Sequence, residues 1–151
     1  MTKELALLRG GLIGARWIEP EDFHVTLRFL GDIDALMARE FLFELRRVRR
    51  SPVRIALDGL STFGGERPRA IIARVKAGRD LVELQADHER MARKIGLEPE
   101  TRKFSPHITL ARLRDVKPAA VAEYLGVRGF LPSHEFTATQ FAVFSSKEST
   151  G

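Results

Sequence analysis

Two tripeptides of one type, His-x-Thr, carry the residues best suited to chemistry: His24 with Thr26, and His107 with Thr109. Leucine follows each threonine, and the chain has only four histidines. In an extended strand, residues i and i+2 point to the same face, so each histidine shares a face with its threonine. We therefore expect two imidazoles and two hydroxyls to line one cleft.

This set of side chains suits proton transfer around a phosphate group. Unperturbed histidine has a pKa near 6.5, so one imidazole can be neutral while another is protonated near neutral pH. The neutral ring can accept a proton from an attacking water, and the protonated ring can donate one to the leaving oxygen. Each transfer is worth about 10²–10⁴ in rate. The threonine hydroxyls can donate hydrogen bonds to the phosphate oxygens. Such chemistry requires neither a metal nor a cofactor.

Each histidine also has a structural alternative. A single His-x-Thr is ordinarily a structural or surface feature, and it is the second copy in a matching context that favours a catalytic pair. A zinc site would need a third protein ligand, such as a carboxylate or cysteine, and no third ligand type recurs beside the motifs. His88 falls on the apolar stripe of a predicted helix and is predicted to be a core or boundary residue. His134 precedes a predicted strand and is predicted to lie at the surface.

The elements around the motifs predict an α+β domain with a largely antiparallel sheet. Apolar spacing and the positions of glycine and proline predict helices over residues 2–9, 34–49, 80–95 and 118–125. Runs rich in β-branched and aromatic residues predict strands over residues 23–30, 53–57, 70–75, 107–113 and 136–144.

The two motifs belong to a longer internal repeat with a period of 83 residues. FHVTLRFLGDIDALMAREFL aligns with PHITLARLRDVKPAAVAEYL, and VRIALDGLSTFGG aligns with FTATQFAVFSSKE, each ending in an aromatic and a small-polar turn. We interpret residues 1–151 as a single domain of two duplicated half-domains. Their antiparallel sheets form a central cleft about a pseudo-two-fold axis, with the helices packed outside. In this interpretation one strand is missing at each end, including one that would follow a turn over residues 145–151.

The composition is that of a globular protein with a basic surface. The chain has 151 residues, 44% of them hydrophobic and 30% charged, enough for one domain with a core. Its net charge of +5 favours a polyanionic partner. The absence of cysteine fits a reducing compartment, and neither a signal-peptide pattern nor a membrane-length apolar run is evident. We expect a cytoplasmic protein that does not associate with membranes. Without an evident apolar patch or coiled-coil pattern, we expect a monomer.

At the two motifs the sequence resembles the 2H phosphoesterase superfamily, whose signature is a pair of His-x-Thr/Ser motifs in a duplicated domain. Within it, HVTLRFLGDI and FSPHITLARLR are similar to the RNA 2′,3′-cyclic phosphodiesterases, also called 2′-5′ RNA ligases. ARWIEPEDFHVTLRFLG, LSTFGGERPRAIIARV and GLEPETRKFSPHITLARL match the same family, so the likeness covers nearly the whole chain. It implies an RNA substrate with a 2′,3′-cyclic phosphate end that is hydrolysed to a 2′-phosphate. It also implies that His24 is the general acid to O3′ and His107 the base that activates water.

The resemblance implies substrate-binding roles for four further residues. Thr26 and Thr109 correspond to threonines that contact the phosphate. Phe29 corresponds to an aromatic that packs near the terminal base, and Arg112 to an arginine that engages the nucleotide. The residues alone leave alternatives open. Phe29 belongs to the core if its strand stays regular, unless a bulge re-aims it, and Arg28 and Arg112 can instead be solvated strand charges.

Other basic residues and other activities also fit the sequence. The arginines at 46, 47, 49 and 50 end a predicted helix, where cations complement the helix dipole, and Arg67 and Arg69 beside a Gly-Gly turn can guide an RNA backbone. The alternative activities are ATP-independent 2′-5′ joining of RNA, non-catalytic RNA binding, and hydrolysis of a small cyclic nucleotide or ADP-ribose-type cyclic phosphate.

Overall fold

The computed structural model describes residues 2–129 and 134–145, and it confirms the α+β class. The strands are β1 (Ala15–Trp17), β2 (Val53–Phe63), β3 (Ala70–Val75), β4 (His107–Leu113) and β5 (Glu135–Ala138). The helices are α1 (Thr2–Ala6), α2 (Ala35–Leu45), α3 (Arg79–Lys94) and α4 (Pro118–Arg128), with a 3-10 turn at Pro20–Asp22. Within the described ranges, each helix is too short or too polar to cross a bilayer.

The strands form one antiparallel sheet in the order β1-β4-β3-β2-β5. One face of this sheet packs against the helices. Its buried side chains include Leu57, Ile71 and Ile108, which join residues of α1, α3 and α4 in the main core. A smaller core forms where α2 meets α3, around Phe41 and Met91. Because successive strand residues alternate between faces, His107 and Thr109, the neighbours of Ile108 in β4, point to the opposite face of the sheet.

The strand registers reproduce the internal repeat. Val25 forms an isolated antiparallel bridge with Ile108, and Arg54 of β2 pairs with Thr137 of β5. In both pairs the partners are 83 residues apart, which is also the separation of the two His-x-Thr motifs. Corresponding positions of the two repeats therefore pair with each other at two separate points.

The predicted strand over residues 23–30 is wrong, because only Val25 forms a bridge. The edge of β4 along which this segment would pair is already occupied by β1, a three-residue strand that sequence patterning missed. The N–H of Ile18 extends that contact by donating to the carbonyl of Leu110. After the 3-10 turn, the chain returns to the same edge for a single pair.

Several predicted boundaries also differ from the structure. The helices predicted over residues 2–9 and 34–49 end at Ala6 and Leu45. Leu7 and Arg46 donate the last i→i−4 hydrogen bonds, and the two residues after each of them form i→i−3 bonds instead. The helix predicted to stop before Gly126 continues to Arg128. β2 is longer than predicted and β5 is shorter than the predicted strand 136–144. The predicted turn over residues 145–151 lies almost entirely outside the described residues.

Gly64 shapes the turn between β2 and β3. Its φ is +109°, and a Cβ atom added there would lie 2.2 Å from the carbonyl oxygen of Arg67. Gly65 also has a positive φ, but no atom within 4 Å of an added Cβ. We expect Gly64→Ala to lower the free energy of unfolding by about 3 kcal/mol and the matched Gly65→Ala by about 1 kcal/mol. Urea denaturation measures both, and equal losses would contradict this account of the turn.

His88 is a buried core residue, as predicted. It is 6% exposed, its Nδ1 bonds to the Leu84 carbonyl, and its ring lies edge-on to Phe141. Burial lowers the pKa of His88 below its ordinary value of 6.5, although the bond to Leu84 and the charge of Asp87 oppose this. The folded protein therefore holds the neutral ring, and the unfolded chain binds a proton first as the pH falls below about 6.5.

We therefore expect part of the stability to be lost as the pH decreases through the interval just below 6.5. His88→Leu removes that titration, so the free energy of unfolding should depend less steeply on pH between about 7 and 5. The wild-type protein over the same pH interval is the reference, and an unchanged slope in His88→Leu would contradict the assignment.

Candidate active site

The bridge between Val25 and Ile108 brings the two His-x-Thr motifs side by side. Both bridge residues pack against the main core. The histidine and threonine that flank each bridge residue therefore point to the opposite face of the sheet. One residue out from an antiparallel bridge, the register sets His24 opposite Thr109 and Thr26 opposite His107. The register therefore sets each histidine opposite the threonine of the other motif.

Both imidazoles are held in the same way. Nδ1 of His24 bonds to the carbonyl of Asp22 at 2.7 Å, and Nδ1 of His107 bonds to the carbonyl of Ser105 at 2.8 Å. A carbonyl oxygen only accepts, so Nδ1 carries the proton in each ring. The Nε2 atoms are left to accept a proton when the ring is neutral and to donate one when it is charged. His24 is exposed and His107 half-buried, so both rings have access to a ligand.

A β-bulge places Arg112 on the same face as the His107 motif. In the register of β3 with β4, Arg74 pairs with His107, Ile72 with Thr109 and Ala70 with Arg112. The register shifts by one residue between Ile71 and Ile72, which leaves Leu110 as the extra residue of β4. In a regular strand, Arg112 would point away from Thr109. The bulge restores it to the candidate site, where it is exposed.

Arg28 and Phe29, which lie shortly after the first motif, have different environments. Phe29 is 70% exposed, so the alternative that it belongs to the core is wrong. Arg28 is not a solvated charge, because its side chain is only 8% exposed. Its Nε donates to Glu89 at 2.5 Å and its Nη2 donates to the carbonyl of Glu98 at 2.7 Å. Arg28 is therefore a structural residue that ties the loop after the first motif to α3.

Each histidine contacts a phenylalanine that sequence reasoning did not assign to the site. The ring of Phe63, at the end of β2, lies edge-on to His107 with centroids 4.7 Å apart. The ring centroids of Phe144 and His24 lie 6.1 Å apart. Phe63 belongs to the first half and Phe144 to the second, so each half supplies an aromatic to the histidine of the other. The aromatic near the end of the second repeated segment was the sequence signal for both.

The face that carries the candidate site is basic. By register, its positions in β1, β3 and β4 include Arg16, Arg74 and Arg112 and carry no aspartate or glutamate. In β2, the exposed Asp58 follows the buried Leu57 and lies on this face beside Arg74. Such a face attracts an anionic ligand. In the part of the chain that the structure describes, no three histidine, aspartate or glutamate side chains are grouped as a metal site would need.

The basic run at residues 46–50 lies elsewhere, at the end of α2. Arg49 donates to the carbonyls of Arg46 and Val48, in keeping with the predicted interaction with the helix C-terminus. Arg50 donates to Asp87 of α3 at 2.6 Å. Hydrogen bonding from Arg50 lowers the pKa of Asp87 below its ordinary value.

Arg67 and Arg69 are exposed at the turn between β2 and β3, and their predicted contact with RNA stays a prediction.

Comparison with known proteins shows which family the chain is similar to. The family model described as LigT-like phosphoesterase matches the chain twice, over residues 1–73 and 74–151. A protein of Aeropyrum pernix named RNA 2′,3′-cyclic phosphodiesterase is 35% identical over 129 residues, which cover 80% of this chain and 73% of that protein. A protein of the same name from Aquifex aeolicus is 32% identical over 139 residues, which cover 89% of this chain and 74% of that protein.

Solved structures show the same fold at lower sequence identity. A Thermus thermophilus protein superposes with a TM-score of 0.71 at 22% identity, covering 91% of this chain and 75% of its own. E. coli LigT in its apo form superposes with a TM-score of 0.66 at 20% identity, covering 91% of this chain and 76% of the LigT chain. With the family model matching both halves, the chain belongs to the LigT-like phosphoesterase family.

Proposed function

We propose that this protein is an RNA 2′,3′-cyclic phosphodiesterase that converts a terminal 2′,3′-cyclic phosphate to a 2′-phosphate by two-histidine acid–base catalysis without a metal. The observation that carries the proposal is the matched pair of imidazoles. Each is fixed through Nδ1 by a main-chain carbonyl, and the register of the Val25–Ile108 bridge sets each histidine opposite the threonine of the other motif. The names of the curated relatives support the substrate class.

The reaction needs one proton removed and one supplied. His107, neutral at Nε2, accepts a proton from water as the water oxygen forms a bond to phosphorus. The bond from phosphorus to O3′ breaks, and His24, protonated at Nε2, gives its proton to the departing O3′. The two imidazoles thereby exchange protonation states, and solvent restores them. Both proton transfers are assigned to protein side chains, so no metal-bound water is required.

Four other side chains bind the substrate in this proposal. Thr26 and Thr109 donate hydrogen bonds to the non-bridging phosphate oxygens, where negative charge increases in the transition state. Arg112 engages the nucleotide with a charge that the bulge in β4 directs to the site face. The exposed ring of Phe29 offers a surface on which the terminal base can stack.

The proposal is tested with a short RNA that ends in a 2′,3′-cyclic phosphate. We expect a product with a 2′-phosphate and a free 3′-hydroxyl, formed at an unchanged rate after exhaustive chelation of divalent metals. A 3′-phosphate product would overturn the assignment of the leaving group, and loss of activity on chelation would overturn the metal-free mechanism. Binding without turnover would favour the non-catalytic RNA-binding module. Adding an RNA with a 5′-hydroxyl tests for joined product, which would reveal 2′-5′ ligation.

A further inference from the structure

Two arginines face each other across β1 and β4 on the site face of the sheet. Arg16 of β1 is the register partner of Arg112 of β4, and both side chains are exposed. Directly opposed residues of an antiparallel pair point to the same face with Cβ atoms about 5 Å apart. Because Arg112 shares the face of His107 and Thr109, so does Arg16.

This pair is not neutralised within the described residues. Like charges directly opposite each other destabilise a sheet, yet neither guanidinium has a carboxylate within 4.0 Å in the described part of the chain. The site-face positions of β3, the strand that pairs with the other edge of β4, carry no acidic residue either. An anionic ligand bound between the two guanidinium groups would relieve their repulsion.

The position of the pair selects which anion it can bind. Thr109 pairs with Ile72 and Arg112 pairs with Ala70, two residues away along β3. At about 3.3 Å per residue, the arginine pair lies about 7 Å along the sheet from the threonine that is proposed to bind the cyclic phosphate. That separation is close to the spacing of neighbouring phosphates along one RNA strand. In an RNA whose cyclic phosphate lies between the imidazoles, the next anion is the internucleotide phosphate on the 5′ side of the terminal nucleotide.

We propose that Arg16 and Arg112 form a subsite for that internucleotide phosphate, so that the protein acts on the ends of oligonucleotides in preference to cyclic mononucleotides. This proposal rests on the function proposed above and specifies its substrate class. Arginine suits the role because its planar guanidinium binds phosphate oxygens through two parallel hydrogen bonds. Arg16 is the new element, since it belongs to neither His-x-Thr motif.

The test compares a dinucleotide ending in a 2′,3′-cyclic phosphate with the corresponding nucleoside 2′,3′-cyclic phosphate, which lacks the internucleotide phosphate. In the wild-type protein we expect kcat/KM to be higher for the dinucleotide. Arg16→Gln should lower kcat/KM for the dinucleotide by about tenfold, mostly through KM, with a much smaller effect on the nucleoside substrate. It should also reduce the salt dependence of log kcat/KM for the dinucleotide by about 0.7 per decade of salt.

Arg79→Gln is the matched control, because Arg79 is a highly exposed arginine at the start of α3, outside the sheet. It should leave both substrates unaffected. Equal losses for the two substrates in Arg16→Gln, or an unchanged dinucleotide, would overturn the subsite. If the wild-type protein turns over neither substrate, the proposed function fails, and binding of the dinucleotide measured by titration calorimetry still decides the subsite. Weakening by Arg16→Gln but not by Arg79→Gln supports it, and equal binding refutes it.

Discussion

His107→Ala and His24→Ala are each expected to lower kcat for a cyclic-phosphate RNA end by a factor of about 10²–10⁴, because each removes one of the two proton transfers. His134→Ala is the matched control. His134 lies outside both motifs, and the one main-chain hydrogen bond formed by its carbonyl, to the N–H of Leu57, survives the substitution. Thermal melting of all three variants shows whether the fold is retained. Wild-type kcat in either motif variant would refute the acid–base pair.

The same variants distinguish the acid from the base. A site that needs one protonated and one neutral imidazole has a bell-shaped dependence of kcat on pH. The base must be deprotonated to act, so its protonation causes the decrease in kcat at low pH. The acid must be protonated to act, so its deprotonation causes the decrease in kcat at high pH. With His107 as base and His24 as acid, residual activity in His107→Ala should lose the low-pH limb. In His24→Ala it should lose the high-pH limb. The reverse pattern would exchange the two roles.

Arg28→Ala is expected to lower the free energy of unfolding by about 3 kcal/mol, because it leaves the Glu89 carboxylate mostly buried without its inner partner. The side chains of Arg28 and Glu89 are 8% and 13% exposed. Arg93 binds the same carboxylate at 3.0 Å, but its side chain is 55% exposed. Arg93→Ala is therefore the matched control, with an expected loss of about 0.5 kcal/mol or less. Similar losses in the two variants, measured by urea denaturation, would show that burial does not strengthen the inner pair.

The ion pair also predicts a loss of stability in acid. Burial raises the pKa of Glu89, but hydrogen bonds from the N–H of Glu100 and from Arg28 and Arg93 outweigh it, and the pKa lies below the ordinary value of 4.5. The stabilisation is present above the unfolded pKa and is lost as the pH falls through the lower folded value. Unfolding at pH values below about 4.5 should therefore be less pH-dependent in Arg28→Ala than in the wild type.

The sequence by itself predicted the features that depend on short spacing. Alternation along a strand predicts that His107 shares a face with Thr109, and the structure has Ile108 between them in the core. Apolar periodicity predicted α3 to within one residue at each end. The period of 83 residues indicated the duplication, and the pairing of Val25 with Ile108 has the same separation.

Only the tertiary structure decided features that depend on which strands and side chains meet. The segment around His24 has a strand-like pattern, yet β1 occupies most of the edge it would use, so it forms one bridge. Arg112 reaches the site face because pairing with β3 creates a bulge at Leu110, which single-strand alternation does not reveal. Arg28 looks like a surface charge in the sequence, and it is buried because the chain folds it against Glu89, 61 residues away. In each case the deciding contact is long-range, and local residue patterns contain no information about it.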